Sequence, residues 1–241
     1  MLELRNVTSA ILKKPISFKL YPGEALGIAG LKGSGRTELF HILFGLDKLT
    51  GGEILLGGKK LTLRQPRDAV KSGIFLIPEN RQTQGLSLEH SIYRNVTLPW
   101  LEKLRTGGPL ISDAKGKKLS LDLLKNLQVK FDRQEAPVQS LSGGNQQKVV
   151  IAKSLASLPD ILIFDEPTRG IDIGARYEIY QLMIELTRQG KSILMVSSDM
   201  EELLGMSERI VVLHEGEQTG TIEKPDFSQE RVLALASGFN G

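Results

Sequence analysis

The string Gly30-Leu31-Lys32-Gly33-Ser34-Gly35-Arg36-Thr37 has the residue types and spacing to surround a phosphate. Glycines let the backbone fold around phosphate oxygens, and N–H groups at a helix start point inward at them. Thr37 stands where a hydroxyl binds magnesium, and Arg36 holds the place at which this spacing expects lysine. Arginine keeps the positive charge, but as a broad planar fork rather than a compact point charge. A second run, Leu141-Ser142-Gly143-Gly144-Asn145-Gln146-Gln147-Lys148, puts a hydroxyl and two glycines at the opening of a helix. Free N–H groups there are again equipment for phosphate. Shortly afterwards Ile161-Leu162-Ile163-Phe164 leads into Asp165-Glu166-Pro167-Thr168. Adjacent carboxylates at the end of an apolar strand suit a magnesium ion and an attacking water. Each motif also has a purely structural reading: a turn that needs glycine, a helix capped by Ser142, an acidic strand end.

The elements around these motifs are legible from periodicity. Leu2–Val7 and Ile16–Leu20 alternate apolar and polar residues as half-buried strands do, and Tyr21-Pro22-Gly23-Glu24 is a turn. Ala25–Ala29 reads as a buried strand running into the glycine loop. A helix then extends from Arg36 or Thr37 through Phe44, with Gly45 as its C-cap. Gly51–Lys59 predicts a hairpin strand between glycine turns, and Ile74–Ile77 a buried strand ended by Pro78. Residues 91–128 have helical periodicity, broken at Thr106-Gly107-Gly108-Pro109. Helices are expected near Asn145–Ser157, Gly174–Gln189 and Glu201–Met206, with strands at Ile161–Phe164, Ser192–Val196 and Ile210–Leu213. Buried strands alternating with helices indicate an α/β fold with a largely parallel sheet.

Composition narrows the class. The 241 residues suffice for one large domain, or a core with a subdomain, and 40% hydrophobic with 24% charged residues is ordinary for a globular chain. A net charge of +3 gives no reason to invoke nucleic acid, and the absence of cysteine excludes disulfides and thiolate metal sites. No apolar run approaches the ~18–20 residues that span a bilayer, so work at a membrane would require docking onto a partner.

The phosphate loop, LSGGNQQK, the strand ending in DEPT and the Gly170-Ile171-Asp172 turn together resemble the ATP-binding domain of ABC transporters. The resemblance covers essentially the whole chain. GLKGSGRTEL, ENRQTQGL and DEPTRGIDIGARYEIY are more specifically similar to the C-terminal half of the two-domain ATPase subunits of monosaccharide importers of the ribose, galactose and xylose type. It implies a P-loop NTPase core with a mostly parallel sheet, an antiparallel β subdomain and a helical subdomain. The divisions expected are 1–86 for the nucleotide-binding core with the antiparallel subdomain and 87–140 for the helical subdomain. Residues 141–215 would return to the core with signature, acidic strand end and switch, and 216–241 would be a C-terminal tail. ATP and Mg2+ are the implied cofactors. Gly30, Leu31, Lys32, Gly33, Ser34, Gly35, Arg36, Thr37 and Glu38 would hold ATP, Thr37 and Asp165 the magnesium, and Glu166 would orient or activate water. The implied partners are the N-terminal half of the same subunit and membrane permease subunits. The expected location is the cytoplasmic face of the plasma membrane, without insertion and without nucleic acid.

In the family two such domains meet head to tail, each ATP lying between the phosphate loop of one and the signature of the other. By that standard the chain's own nucleotide side departs from the family pattern four times. Arg36 replaces lysine, and the loop from Thr8 to Pro15 lacks the aromatic residue that stacks on adenine, an interaction worth on the order of 1 kcal/mol. Glu79 stands where glutamine is expected, and Ser198 where the switch histidine is expected. Serine is too short to reach a γ-phosphate as imidazole does. The side offered to a partner keeps Ser142, Gly143, Gly144, Asn145, Gln146 and the inter-domain Asp172. The expectation is a degenerate own site and an intact donated signature. The alternatives are a catalytically weak regulatory or dimerisation module, or the same role in nucleoside or signalling-sugar uptake.

Overall fold

Partly exposed strands open the chain, and the strands Ala25–Gly30, Ile74–Ile77, Ile161–Asp165 and Ser192–Val196 are buried along almost all their length. A computed structural model describes residues 1–106 and 111–239. They divide into two units, the first holding 1–76, 160–166 and 183–241, the second 77–159 and 167–182. The break expected at Thr106–Pro109 lies, apart from Thr106, outside the described residues.

In the first unit, β1 (Leu2–Thr8) and β2 (Ile16–Leu20) pair antiparallel; β2 buries every second side chain, whereas β1 buries Leu2, Glu3 and Leu4 in succession and then Val7. β3 (Ala25–Gly30) is buried until its last residue, and α1 (Arg36–Phe44) follows the glycine loop and ends on Gly45. β4 (Gly51–Leu56) and β5 (Lys59–Leu61) form a hairpin, and the short α2 (Pro66–Lys71) precedes β6 (Ile74–Ile77). One antiparallel sheet has the order β2-β1-β4-β5.

The second sheet is assembled from strands distant in sequence. β7 (Ile161–Asp165), β8 (Ser192–Val196) and β9 (Arg209–His214) join β3 in parallel pairs, and with β10 (Glu217–Glu223) at one edge the order is β10-β9-β3-β8-β7-β6. Leu2, Phe40, Leu43, Ile163, Leu194 and Val211, all fully buried, belong to one core cluster that takes in side chains of both sheets and α1. Complete burial of each such side chain stabilises by roughly 1.5–3 kcal/mol.

A tail over 216–241 is not what the structure has. β10 (Glu217–Glu223) pairs antiparallel with β9, and α8 (Gln229–Ala236) buries Val232 and Ala236. The strand escaped the sequence reading because it is a polar edge strand in which Ile222 alone is buried.

The second unit is helical: α3 (Ile92–Thr97), α4 (Asp113–Asn126) and α5 (Gly143–Ala156) pack on one another. Ser91 and Ser112 cap α3 and α4 by accepting from the Arg94 and Lys115 N–H groups. Residues 141–159 pack with this unit and not with the core, to which the expected division 141–215 assigns them. The reason is that α5 buries both its apolar residues and Gln146, Gln147 and Lys148. The helix α6 (Ile173–Arg188) belongs to this unit up to Leu182, and α7 (Met200–Met206) lies in the first.

Candidate functional site

In the first unit, parallel strands deliver the expected residues to one end of the sheet. The glycine loop leaves β3, which lies between β8 and β9. Crevices at the carboxyl ends of such strands are where open α/β sheets bind ligands. Gly35 has φ +98°, and a Cβ there would come within 2.4 Å of Leu12 Cδ2, so glycine alone fits where the loop turns into α1. Leu31, Lys32 and Gly33 are exposed at the tip, while Ser34 is buried and its hydroxyl has no partner among the described residues.

β7 and β8 end in register, Asp165 beside Val196. Burial, reinforced by the charge of Glu166, pushes the Asp165 carboxyl up to about 6, against the attraction of Arg36 and a hydrogen bond from Thr37. Arg36, Thr37 and Asp165 therefore share one neighbourhood, and Arg36 Nη1 lies 3.5 Å from the Ser197 carbonyl.

Glu166 has φ +52°, the left-handed region that costs a non-glycine residue about 1 kcal/mol or more. Two contacts hold it there. Its N–H donates to the Val196 carbonyl at 2.9 Å, and its Oε2 accepts from both the N–H and the hydroxyl of Ser198 at 3.0 Å. The switch-position serine thus holds the carboxylate itself. Below it, Ser197 donates to the buried Glu202, and Asp199 caps α7 by accepting from Glu201 and Glu202 N–H.

These donors fit magnesium, which takes one or two protein oxygens and completes its shell with water and phosphate. Among the described residues no group of three or more His, Asp or Glu could cage a metal. The Thr8–Pro15 segment holds no aromatic residue to stack on an adenine ring, and of its larger aliphatic side chains Leu12 is buried and Ile11 exposed.

The second unit holds the remaining expected residues. Ser142 takes the N-cap position of α5, which begins at Gly143 rather than the expected Asn145, but its hydroxyl makes no capping bond. It accepts instead from Asn145 Nδ2 at 2.9 Å, while Asn145 Oδ1 accepts from the Lys130 N–H at 2.8 Å. Gln146 is buried and donates to the Leu141 carbonyl. Asp172 caps α6 by accepting from Ala175 N–H at 3.0 Å, and Glu79 pairs with Arg169. Periodicity and motif spacing gave no notice of Arg81, whose guanidinium reaches the Arg169 and Gly170 carbonyls. Its only signal was its place inside ENRQTQGL.

Known proteins give the arrangement a context. The family described as ABC transporter matches residues 13–169. The ribose import ATP-binding protein RbsA of Oceanobacillus iheyensis is 48% identical over 241 residues, all of this chain and 48% of that protein. The protein of the same name from Bacillus subtilis is 47% identical over 237 residues, 98% of this chain and 48% of its own. The chain thus spans about half the length of these curated relatives. An ATP-binding cassette solved as a dimer in a post-hydrolysis state with ADP and Pi superposes with a TM-score of 0.78 at 28% identity, over 94% of this chain and 100% of that one. A cassette of an ABC transporter in its ADP conformation gives a TM-score of 0.80 at 20% identity, over 99% and 98%, a likeness of fold.

Proposed function

The chain belongs to the ABC transporter family, and from that premise we propose that it is the C-terminal ATP-binding half of a sugar-import ATPase. The names and lengths of its relatives support the placing. In this reading Gly30–Thr37 binds the phosphates of an ATP mainly to hold the dimer together. Thr37 and Asp165 would hold Mg2+, which would neutralise phosphate charge, and Glu166 stands beside the site for water. Ser142, Gly143 and Gly144 are donated to a second ATP, bound to the phosphate loop of the N-terminal half, where turnover occurs. Closure of both sites draws the halves together and moves permease subunits docked at the cytoplasmic face of the plasma membrane. No helix among the described residues is long and apolar enough to cross a membrane.

The observation that carries the reading is the contrast between two ends of helices. The α5 terminus keeps its Ser-Gly-Gly turn and leaves it without a side-chain cap. At the chain's own nucleotide side, Arg36, Glu79 and Ser198 replace the usual groups, and Ser198 is engaged with Glu166. That engagement also favours the second reading, a nucleotide-binding module with little turnover of its own. ATPase activity measured on this chain, on the N-terminal half and on their mixture tests the proposal. The mixture should exceed this chain at least tenfold, and Ser142→Arg should abolish the excess by placing bulk against the partner's γ-phosphate. Equal rates for chain and mixture, or an inert Ser142→Arg, would overturn it.

A further inference from the structure

The five-residue turn Arg81–Gly85 has no part in the reading above, yet it is fastened at both ends. At its start Arg81 donates from Nη1 to the Arg169 carbonyl at 2.9 Å and from Nη2 to the Gly170 carbonyl at 3.1 Å. In the opposite direction, the Arg169 guanidinium pairs with Glu79. Two arginines therefore cross between the same two segments. At the far end, Lys153 of α5 donates to the Gly85 carbonyl at 2.8 Å. Asn80 secures the turn internally by accepting from the Gln82 and Thr83 N–H groups.

The signature lies directly against this staple. A Cβ on Gly143 would fall 2.8 Å from Arg81 Nη2 and 3.4 Å from the Gly170 carbonyl oxygen. On the other side, a Cβ on Gly144 would fall 2.5 Å from Ala175 Cβ at the start of α6. Packing against Ala175 thus demands glycine at 144, and a side chain at 143 would displace the Arg81 guanidinium. Lys148, one turn further along α5, pairs with Glu178 of α6 at 2.7 Å. Arg81 is partly desolvated, and its Nε is buried without a partner among the described residues. A lysine could meet one of the two carbonyls, but not both in a fixed fork.

We propose that Arg81 is a positioning residue for the donated signature. It locks the turn at Arg169–Gly170 to the start of α5, so that Gly143 and Gly144 are presented to the partner's nucleotide in a fixed place. The proposal rests on the half-site reading above, and Arg81 itself touches no nucleotide. A displacement of Glu79–Gly85 would also reach the signature, because the guanidinium that bonds Arg169 and Gly170 packs against Gly143, and Lys153 of α5 bonds the Gly85 carbonyl.

The test uses the two-half subunit with Arg81→Ala and Arg81→Lys, read by hydrogen exchange and by ATPase kinetics. In Arg81→Ala the first hydrogen-bonded amides of α5, Gln146 and Gln147, and that of Ile171 should exchange at least tenfold faster. kcat should fall at least tenfold while KM for ATP stays within twofold, and Arg81→Lys should fall between. Unchanged exchange at these amides overturns the proposal. So does faster exchange at Leu124 and Ile151 as well, which would mark general loss of folding. Ser142→Arg assayed alongside separates the two claims. If it leaves turnover intact, the half-site reading has failed and the positioning role falls with it. If it abolishes turnover and Arg81→Ala does not, only the positioning role has failed.

Discussion

Asp165 shows what burial does to a single group. Its folded carboxyl titrates near 6, above its ordinary value of 3.8, so the folded chain prefers the protonated form. The resulting cost is absent below about pH 4, grows as pH rises through 6, and is then constant, at about 1–3 kcal/mol. Asp165→Asn should therefore stabilise the metal-free chain by that amount at pH 7.5 and leave it unchanged near pH 4. Urea melts in the presence of EDTA check both. Glu166 tells a different story, because Ser198 holds its carboxylate from two donors. On the proposal that turnover occurs on the other half, Glu166→Gln should lower the rate of the combined halves by less than threefold, where Ser142→Arg should lower it at least tenfold. A steady-state ATPase assay of both variants decides.

At the scale of elements, α5 and α7 begin in opposite ways. Asp199 caps α7, and Asp199→Ala should cost about 1 kcal/mol in a denaturant melt. Ser142 holds the same position on α5 without capping it, so Ser142→Ala should cost under about 0.5 kcal/mol while lowering turnover of the combined halves. The buried strands β3, β6, β7 and β8 and the Gly45 end of α1 were legible in the sequence, since continuous apolar runs and a left-handed glycine leave clear traces. The edge strand β10 was not, since pairing on one side only demands few apolar residues. The motif residues were legible by type and spacing, but their bonds were not. Nothing local to Ser198 announces Glu166, 32 residues away, and nothing in Arg81 announces carbonyls 88 and 89 residues on. Such contacts are made by topology, which brings distant segments together after each has its own local form.

For the molecule as a whole, the phosphate loop and the acidic strand end lie in one unit and the signature in the other. Ligand binding to the loop should stabilise the folded chain by mass action. ATP with Mg2+ at about a hundred times its Kd adds ~2.7 kcal/mol, a rise in Tm of roughly 5–10 °C at this size. Arg36→Ala should remove most of that rise, and Ser142→Arg should leave it intact, both read by thermal melts with and without nucleotide. A rise that survives Arg36→Ala would show that arginine is not serving as the loop's cation.

The uncapped start of α5 has a genetic corollary. In the half-site arrangement proposed above, a lesion at Ser142 should leave this chain stable and its own loop occupied, so that properties measured on the chain by itself look wild type. On that proposal the defect should surface only in the neighbouring half, and repairing this chain's own loop should not suppress it. A screen that assigns each inactive allele to the half it disrupts would therefore blame the wrong one.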